Sequence, residues 1–74
     1  MIVRRWESER RYYIALLYQD LFGVWLLRTV WGGRFSKLGN EKCMPVSDVA
    51  TGLTAMERID VVRHRRGYHL MEAA

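Results

Sequence analysis

The sequence contains a single cysteine, Cys43, so the chain cannot form an internal disulfide. Small exported domains usually rely on disulfides for stability, and their absence favours a reducing compartment. No run approaches the roughly 18 apolar residues that a membrane span requires. Residues 1–7 also lack the apolar core of a signal peptide. We therefore expect a cytoplasmic protein that is neither exported nor inserted in a membrane.

Residues for catalysis or metal binding are few. Cys43, His64 and His69 are the only candidates for a nucleophile and a base, and a cysteine in a short apolar strand is more often a buried small hydrophobe than a thiolate. One cysteine and two histidines do not supply the roughly four ligands of a zinc site. The glycines lack the Lys-Ser/Thr pair of a phosphate-binding P-loop. We expect no enzymatic activity, no metal or other cofactor, and no small-molecule substrate.

The chain has little length with which to build a core. A chain of 74 residues buries only about 60% of its unfolded surface, which supports one hydrophobic core and not two. Half of the residues are apolar and 12% are aromatic, a composition typical of a compact fold rather than a disordered tail. The sequence predicts a single domain over residues 1–74.

Lysine is scarce: the chain has two lysines against ten arginines, with a formal net charge of +4. Arginine presents a planar fork of donors that matches phosphate or carboxylate, and it stacks on rings and bases. This bias favours an anionic partner. A charge of this size is also typical of a domain that is merely soluble, so composition alone leaves both interpretations open.

Two apolar, aromatic segments, residues 12–18 and 24–31, flank a connection that contains Asp20 and Gly23. This pattern predicts an antiparallel hairpin at the centre of a sheet. A short edge strand is expected within residues 1–11, and a further short strand over 41–46. The glycines of residues 32–40 predict the principal loop, with positive φ angles or close approach of the backbone to another group.

A helix is predicted after Ser47-Asp48, which provides a polar cap. Its apolar stripe consists of Val49, Leu53, Met56 and Ile59. Asp60 projects close to the same stripe without an evident reason. Gly52 is expected to weaken the helix slightly, and Gly67 to end it.

Residues 68–71 then form a last strand or pack back on the core. The predicted fold class is α+β, an antiparallel sheet of four to five strands with one helix on one face.

The order of these motifs resembles the WGR domain family. The matching features are the aromatic strand that begins at Arg11-Tyr12-Tyr13, the pair Trp31-Gly32 after a strand, a capped helix, and the ending Arg66-Gly67-Tyr68. The resemblance is strongest over residues 11–70. It implies an antiparallel sheet with a helix on one face. In the poly(ADP-ribose) polymerases that carry the domain, it implies a DNA-contacting module.

The Trp and Arg of the family's Trp-Gly-Arg triplet take part in nucleic-acid and interdomain contacts, and small stand-alone bacterial proteins resemble the same domain. This chain departs from the triplet, because it reads Trp31-Gly32-Gly33-Arg34 and the arginine comes one residue later. A loop with two glycines is able to absorb a one-residue shift. If Arg34 reaches the family's arginine position, the family contact is retained; if it does not, the DNA binding that the resemblance implies does not carry over.

The first functional hypothesis is a non-catalytic nucleic-acid-binding module, for DNA more than RNA, that contacts phosphate and local shape. The residues expected to take part are Trp31, Gly32, Arg34, Lys37, Arg63, Arg65 and Arg66. Each also has a plain structural explanation: a tryptophan at a strand end packs in the core, charges keep a loop solvated, and cations favour a helix C-terminus. The alternative hypothesis is a protein-protein interaction or self-association module that uses an aromatic face of the sheet.

Overall fold

A computed structural model describes residues 1–74, and in it five antiparallel strands form one sheet with a single helix packed against it. The elements in chain order are β1 (Ile2–Glu7), β2 (Arg11–Gln19), β3 (Trp25–Gly33), β4 (Gly39–Val46), α1 (Val49–Arg65) and β5 (His69–Ala73). The spatial order of the strands is β4-β3-β2-β1-β5. The predicted α+β fold is confirmed.

The central hairpin forms because Asp20 organises its turn. The carboxylate of Asp20 accepts hydrogen bonds from the backbone N–H groups of Phe22 (2.8 Å) and Val24 (3.0 Å), an arrangement that aspartate favours in turns. Gly23 supplies the positive φ of 79° that a side chain would resist. The turn fixes the β2–β3 register, and β2 is the middle strand of the sheet.

The glycine-rich loop is shorter than the sequence predicts. Gly32 and Gly33 end β3 and Gly39 begins β4, so only residues 34–38 connect these strands. The prediction of positive φ angles here was wrong, since only Gly23 and Gly67 have them. The other expectation, that the backbone at these glycines approaches another group closely, was correct. A Cβ on Gly32 or on Gly39 would lie 3.0 Å from the hydroxyl oxygen of Tyr12, which covers both glycines.

Strand β1 is not an edge strand, and that prediction was wrong. It lies between β2 and β5, because residues 69–73 return to pair with it, with Trp6 opposite Leu70 and an irregularity between Arg5 and Trp6. The last residues extend this ladder: Val3 and Ala74 exchange two backbone hydrogen bonds of 2.7 and 2.9 Å. The edges of the sheet are therefore β4 and β5.

Helix α1 begins and ends where the sequence predicts. Asp48 is the N-cap, and its carboxylate accepts a 2.7 Å hydrogen bond from the backbone N–H of Thr51. This bond stabilises the charged form and holds the pKa of Asp48 below its ordinary value. At the other end, Gly67 has a φ of 83°, and the N–H of Tyr68 donates to the carbonyl of Arg63 (2.9 Å), as in a Schellman motif. No helix of the structure has the length and apolar character needed to cross a bilayer.

The core lies between α1 and one face of the sheet. Its buried members are Trp6, Ala15, Leu17, Leu27, Met56 and Tyr68. The remaining residues of the predicted helical stripe, Val49, Leu53 and Ile59, are partly buried against this cluster. The sequence did not predict one close contact between the helix and the sheet. At this contact Gly52 is buried, and a Cβ on it would overlap with Cδ1 of Leu17.

We predict that Gly52→Ala destabilises the protein, although alanine favours helix formation. Leu17 is fully buried, so its side chain must shift within the core to admit the new methyl group, and such overpacking typically costs about 1–3 kcal/mol. The intrinsic helical gain of about 1 kcal/mol offsets part of this cost. Urea denaturation measures the difference, with Glu57→Ala on the exposed side of α1 as the control. An unchanged or raised free energy of unfolding for Gly52→Ala would show that the contact is loose.

Candidate nucleic-acid interface

Strand register places an aromatic row across the face of the sheet that α1 covers. Trp6 on β1 pairs with Tyr13 on β2, Tyr13 pairs with Trp31 on β3, and Trp31 pairs with Asn40 on β4. The rings of Trp6 and Tyr13 meet edge to face, with centroids 6.0 Å apart, whereas Tyr13 and Trp31 are stacked at 5.9 Å and 15°. Trp6 is fully buried, Trp31 is half-buried and Asn40 is exposed. The row therefore emerges from the core towards β4.

The buried end of the row is fixed by Asp60, whose position in the helical stripe sequence reasoning could not explain. The indole N–H of Trp6 donates a 2.7 Å hydrogen bond to Oδ1 of Asp60. His64, one turn further along α1, places its Nε2 3.3 Å from the same oxygen. A buried indole N–H requires an acceptor, so Asp60 sits in the stripe in order to satisfy Trp6.

Arg63 lies beside the middle of the row, at the last turn of α1. Its guanidinium carbon is 4.5 Å from the centroid of the Tyr13 ring and 5.0 Å from that of Tyr68. Both contacts are within the range of cation–π attraction. The Nε of Arg63 is buried and has no hydrogen-bond partner. Packing between two tyrosines thus holds this positive charge in place without any carboxylate.

These side chains line an open groove of about 1330 Å³, which we name the basic groove. Its arginines are Arg10, Arg11, Arg63 and Arg66, its rings are Tyr13, Trp31 and Tyr68, and its other lining residues are Ser8, Glu9, Gly32, Gly33, Leu38, Asn40 and Gly67. None of the four arginines forms an ion pair. The basic groove therefore combines exposed ring surface with positive charge that the chain itself does not neutralise.

The structure brings together some of the residues that were predicted from the sequence to contact nucleic acid. Trp31, Gly32, Arg63 and Arg66 all line the basic groove. Lys37 lies in the exposed loop of residues 34–38 and Arg65 is exposed on α1, and neither lines the groove.

Arg34 lies on the opposite side of the sheet. Its Nε is 3.4 Å from Oε1 of Glu7, and its Nη1 is within hydrogen-bond distance of the carbonyls of Ser8 (3.4 Å) and Glu9 (3.3 Å).

The extra glycine accounts for the position of Arg34. Side chains alternate between the two faces of a strand, so residues two apart share a face and residues three apart do not. Trp31 and Gly33 are on the helix side, and Arg34 is on the other. The cross-strand partner of Gly33 is Arg11. An arginine therefore does stand beside Trp31 in the basic groove, but it comes from β2.

The sequence alone could not place Arg10, Arg11, Tyr13 and Asn40 in one site. Strand register brings Arg11, Tyr13 and Asn40 to the side of Trp31, and Arg10 lines the groove from the residue before β2. For Arg11 and Tyr13 the signal in the sequence is the alternation along β2, once the buried positions Ala15 and Leu17 identify its helix-side residues.

Cys43 was also wrongly predicted. It was expected to be buried, yet it is exposed on the edge strand β4, because α1 does not cover that side of the strand. No group of three or more His, Cys, Asp or Glu side chains is placed to hold a metal ion.

Comparison of the chain with protein-family models, with curated proteins and with solved structures gave no match.

We predict that Asp60→Ala destabilises the fold and loosens the aromatic row, because it leaves the buried indole N–H of Trp6 without an acceptor. The expected loss is about 1–3 kcal/mol in the free energy of unfolding, with a weakened near-ultraviolet circular dichroism signal from the ordered tryptophans. Asp60→Asn keeps an acceptor oxygen and is the matched control, with a smaller loss. Equal losses for the two variants would contradict the importance of the hydrogen bond.

Proposed function

We propose that this chain is a non-catalytic nucleic-acid-binding domain, with DNA rather than RNA as its main ligand, and that the basic groove is the binding surface. The observation that carries the proposal is the set of four unpaired arginines around three aromatic rings. Arginine binds phosphate through two parallel hydrogen bonds, and aromatic side chains provide apolar contacts with sugars and bases.

The distribution of charge supports this choice of surface. The arginines that do form ion pairs are Arg5 and Arg34 with Glu7, and Arg28 with Glu41. All of them lie on the sheet face away from α1. In the basic groove, by contrast, Glu9 is the only acid. The positive charge that remains available to a ligand is thus concentrated on the helix side, next to Trp31.

The resemblance to WGR domains supports DNA as the ligand. The pair Trp31-Gly32 lines the basic groove, and Arg11 stands opposite Gly33, so a tryptophan and an arginine are adjacent there. We include in the proposal that the chain is a bacterial WGR-like domain of the cytoplasm. Arg34 is left out of the proposed site, because its side chain is engaged with Glu7 and two backbone carbonyls.

Binding of this kind should depend steeply on salt, because each neutralised phosphate releases condensed counterions. We predict that the double variant Arg10→Ala/Arg66→Ala binds a DNA oligonucleotide roughly tenfold more weakly than the wild-type protein. The plot of the logarithm of the association constant against the logarithm of the salt concentration should also become less steep, by about 1 to 2 in slope. Fluorescence anisotropy with labelled DNA, from about 50 to 200 mM salt, measures both quantities.

The matched control is Arg28→Ala/Arg34→Ala, which removes the same net charge from the opposite face. It should change the affinity and the slope far less. If the two double variants weaken binding equally, the effect is one of net charge and the basic groove is not the site. If wild-type protein shows no salt-dependent binding to DNA, the proposed function itself is wrong.

A second candidate function is self-association through the uncovered face of the sheet. Its apolar residues are half-buried and contiguous: Val3, Ile14, Leu16, Leu26 and Val30. A face with so much apolar surface is typical of an interaction site. The molecule measures 37 × 25 × 17 Å, which is large enough for a face of the order of the roughly 800 Å² that each partner contributes to a stable interface.

A second copy of the chain fits the charges of this face. Arg28 is hydrogen-bonded to Glu41 at one side, which also raises the pKa of Arg28, and Glu7 lies between Arg5 and Arg34 at the other. Because these charges are already paired within the chain, an identical face would meet little repulsion. The basic groove, by comparison, would repel its own copy.

We therefore predict a concentration-dependent dimer in sedimentation equilibrium. Leu16→Glu should shift the protein to monomer, because it places a charge at the centre of the uncovered face. Ala50→Glu on the exposed side of α1 is the control and should leave the association unchanged. A wild-type protein that remains monomeric at millimolar concentration would contradict this second candidate, and far-ultraviolet circular dichroism of Leu16→Glu verifies that the variant is folded.

A further inference from the structure

The aromatic row ends with an unoccupied position beyond Trp31. Along the row, Trp6, Tyr13 and Trp31 stand on three successive strands, and the next residue in register is Asn40 on β4. Asn40 is exposed and carries no ring, and β4 is an edge strand with no further neighbour. Trp31 is half-buried. Its ring is stacked on Tyr13 on the β2 side, and its cross-strand neighbour on the β4 side is Asn40.

The next position along β3 is also free of a side chain. Gly33 is the residue of that strand that shares a face with Trp31, and Arg11 is opposite it. On β4, Lys42 shares the helix side with Asn40 and is exposed. The space beside Trp31 in the basic groove is therefore bordered by Asn40, Leu38 and the positive charge of Arg11, with Lys42 two residues further along β4.

We propose that this space takes one unpaired nucleobase, which stacks on Trp31 and places its edge on the amide of Asn40. This inference rests on the proposed function and names its substrate class, a single-stranded stretch of nucleic acid. Side chains stand roughly perpendicular to a sheet, so a base parallel to the Trp31 ring directs one edge down to Asn40. The amide offers one acceptor and two donor hydrogens to that edge.

A base within a duplex does not satisfy this geometry. Both of its faces are stacked on neighbouring bases, and its pairing edge is already hydrogen-bonded. An unpaired base has free faces and a free edge, which is why proteins stack single strands on aromatic rings. Arg11 and Lys42 then lie where they contact the phosphates on either side of the bound nucleotide.

The test compares three probes of equal length at the same salt concentration: oligo-deoxyadenylate, a fully abasic strand and a blunt duplex of mixed sequence. The wild-type protein is expected to bind oligo-deoxyadenylate about five- to a hundredfold more tightly than the abasic strand, the range that stacking of one base provides. Trp31→Ala should remove most of this difference and weaken binding of the duplex much less than binding of oligo-deoxyadenylate. Trp31→Phe keeps a ring and should retain much of the preference for oligo-deoxyadenylate over the abasic strand. This control distinguishes loss of stacking in the alanine variant from misfolding.

Asn40 is tested separately with homopolymers of deoxyadenylate and deoxythymidylate. An asparagine amide matches the N6 and N7 positions of adenine with two hydrogen bonds, so the wild-type protein should favour the adenine strand several-fold. Asn40→Ala should equalise the two affinities, whereas Ser36→Ala in the neighbouring loop should not. Equal affinities in the wild-type protein, or a preference that persists in Asn40→Ala, would overturn the assignment of Asn40.

The outcomes distinguish this inference from the function on which it rests. Salt-dependent binding that is equally tight for the abasic strand and for oligo-deoxyadenylate keeps the nucleic-acid-binding proposal and overturns the stacking site. If Trp31→Ala weakens duplex binding as much as it weakens single-strand binding, the nucleic-acid-binding proposal is likewise kept and the stacking site is overturned. If none of the three probes binds at low salt, both proposals are wrong.

Discussion

The constraint on which this structure depends is the alternation of side chains along strands that have a helix on only one side. Each residue of β1, β2 and β3 belongs either to the face that packs on α1 or to the face that α1 leaves open. The insertion of one residue moves a side chain from one face to the other. For this reason Gly33 decides the place of Arg34, and the arginine beside Trp31 is Arg11 from the neighbouring strand.

The same alternation separates two kinds of charge. On the open face, arginines are neutralised by Glu7 and Glu41, and the apolar residues between them remain half-buried. On the helix side, Arg63 is held by two tyrosine rings instead of by an acid, so its charge is positioned but not cancelled. One small sheet thus offers an apolar, locally neutral surface and a polar, positive one. The two candidate functions use different surfaces and do not compete for residues.

The sequence was sufficient for features that depend on near neighbours. The turn at Asp20 and Gly23, the cap at Asp48 and the helix end at Gly67 were all predicted, because each is defined by bonds within a few residues. Features that depend on residues far apart in the sequence were not predicted. The place of β1 depends on β5, and the role of Asp60 depends on Trp6, 54 residues away. Gly52 indicated only a weak helix position, since nothing nearby in the sequence shows that Leu17 lies against it.

The candidate site was predictable to the same extent. Trp31, Gly32, Arg63 and Arg66 were named from their residue types and the family resemblance, and the structure places all four on the basic groove. Arg11 and Asn40 could not be placed there from the sequence, because strand pairing brings them to the groove. Arg34 was named from its place in the motif. The order of residues in a motif does not specify the face of the sheet on which a side chain projects, and Arg34 projects on the other face.

The pairing of β1 with β5 also bears on how the chain folds during synthesis. Residues 2–7 leave the ribosome before residues 69–73, so one edge of β1 has no partner until residues 69–73 have been made. The β2–β3 hairpin can close locally, whereas the β1–β5 ladder requires closure of a loop that is almost as long as the chain. We expect the sheet to be completed only after the whole domain has emerged. Until then the open edge of β1 is exposed to pairing with other chains.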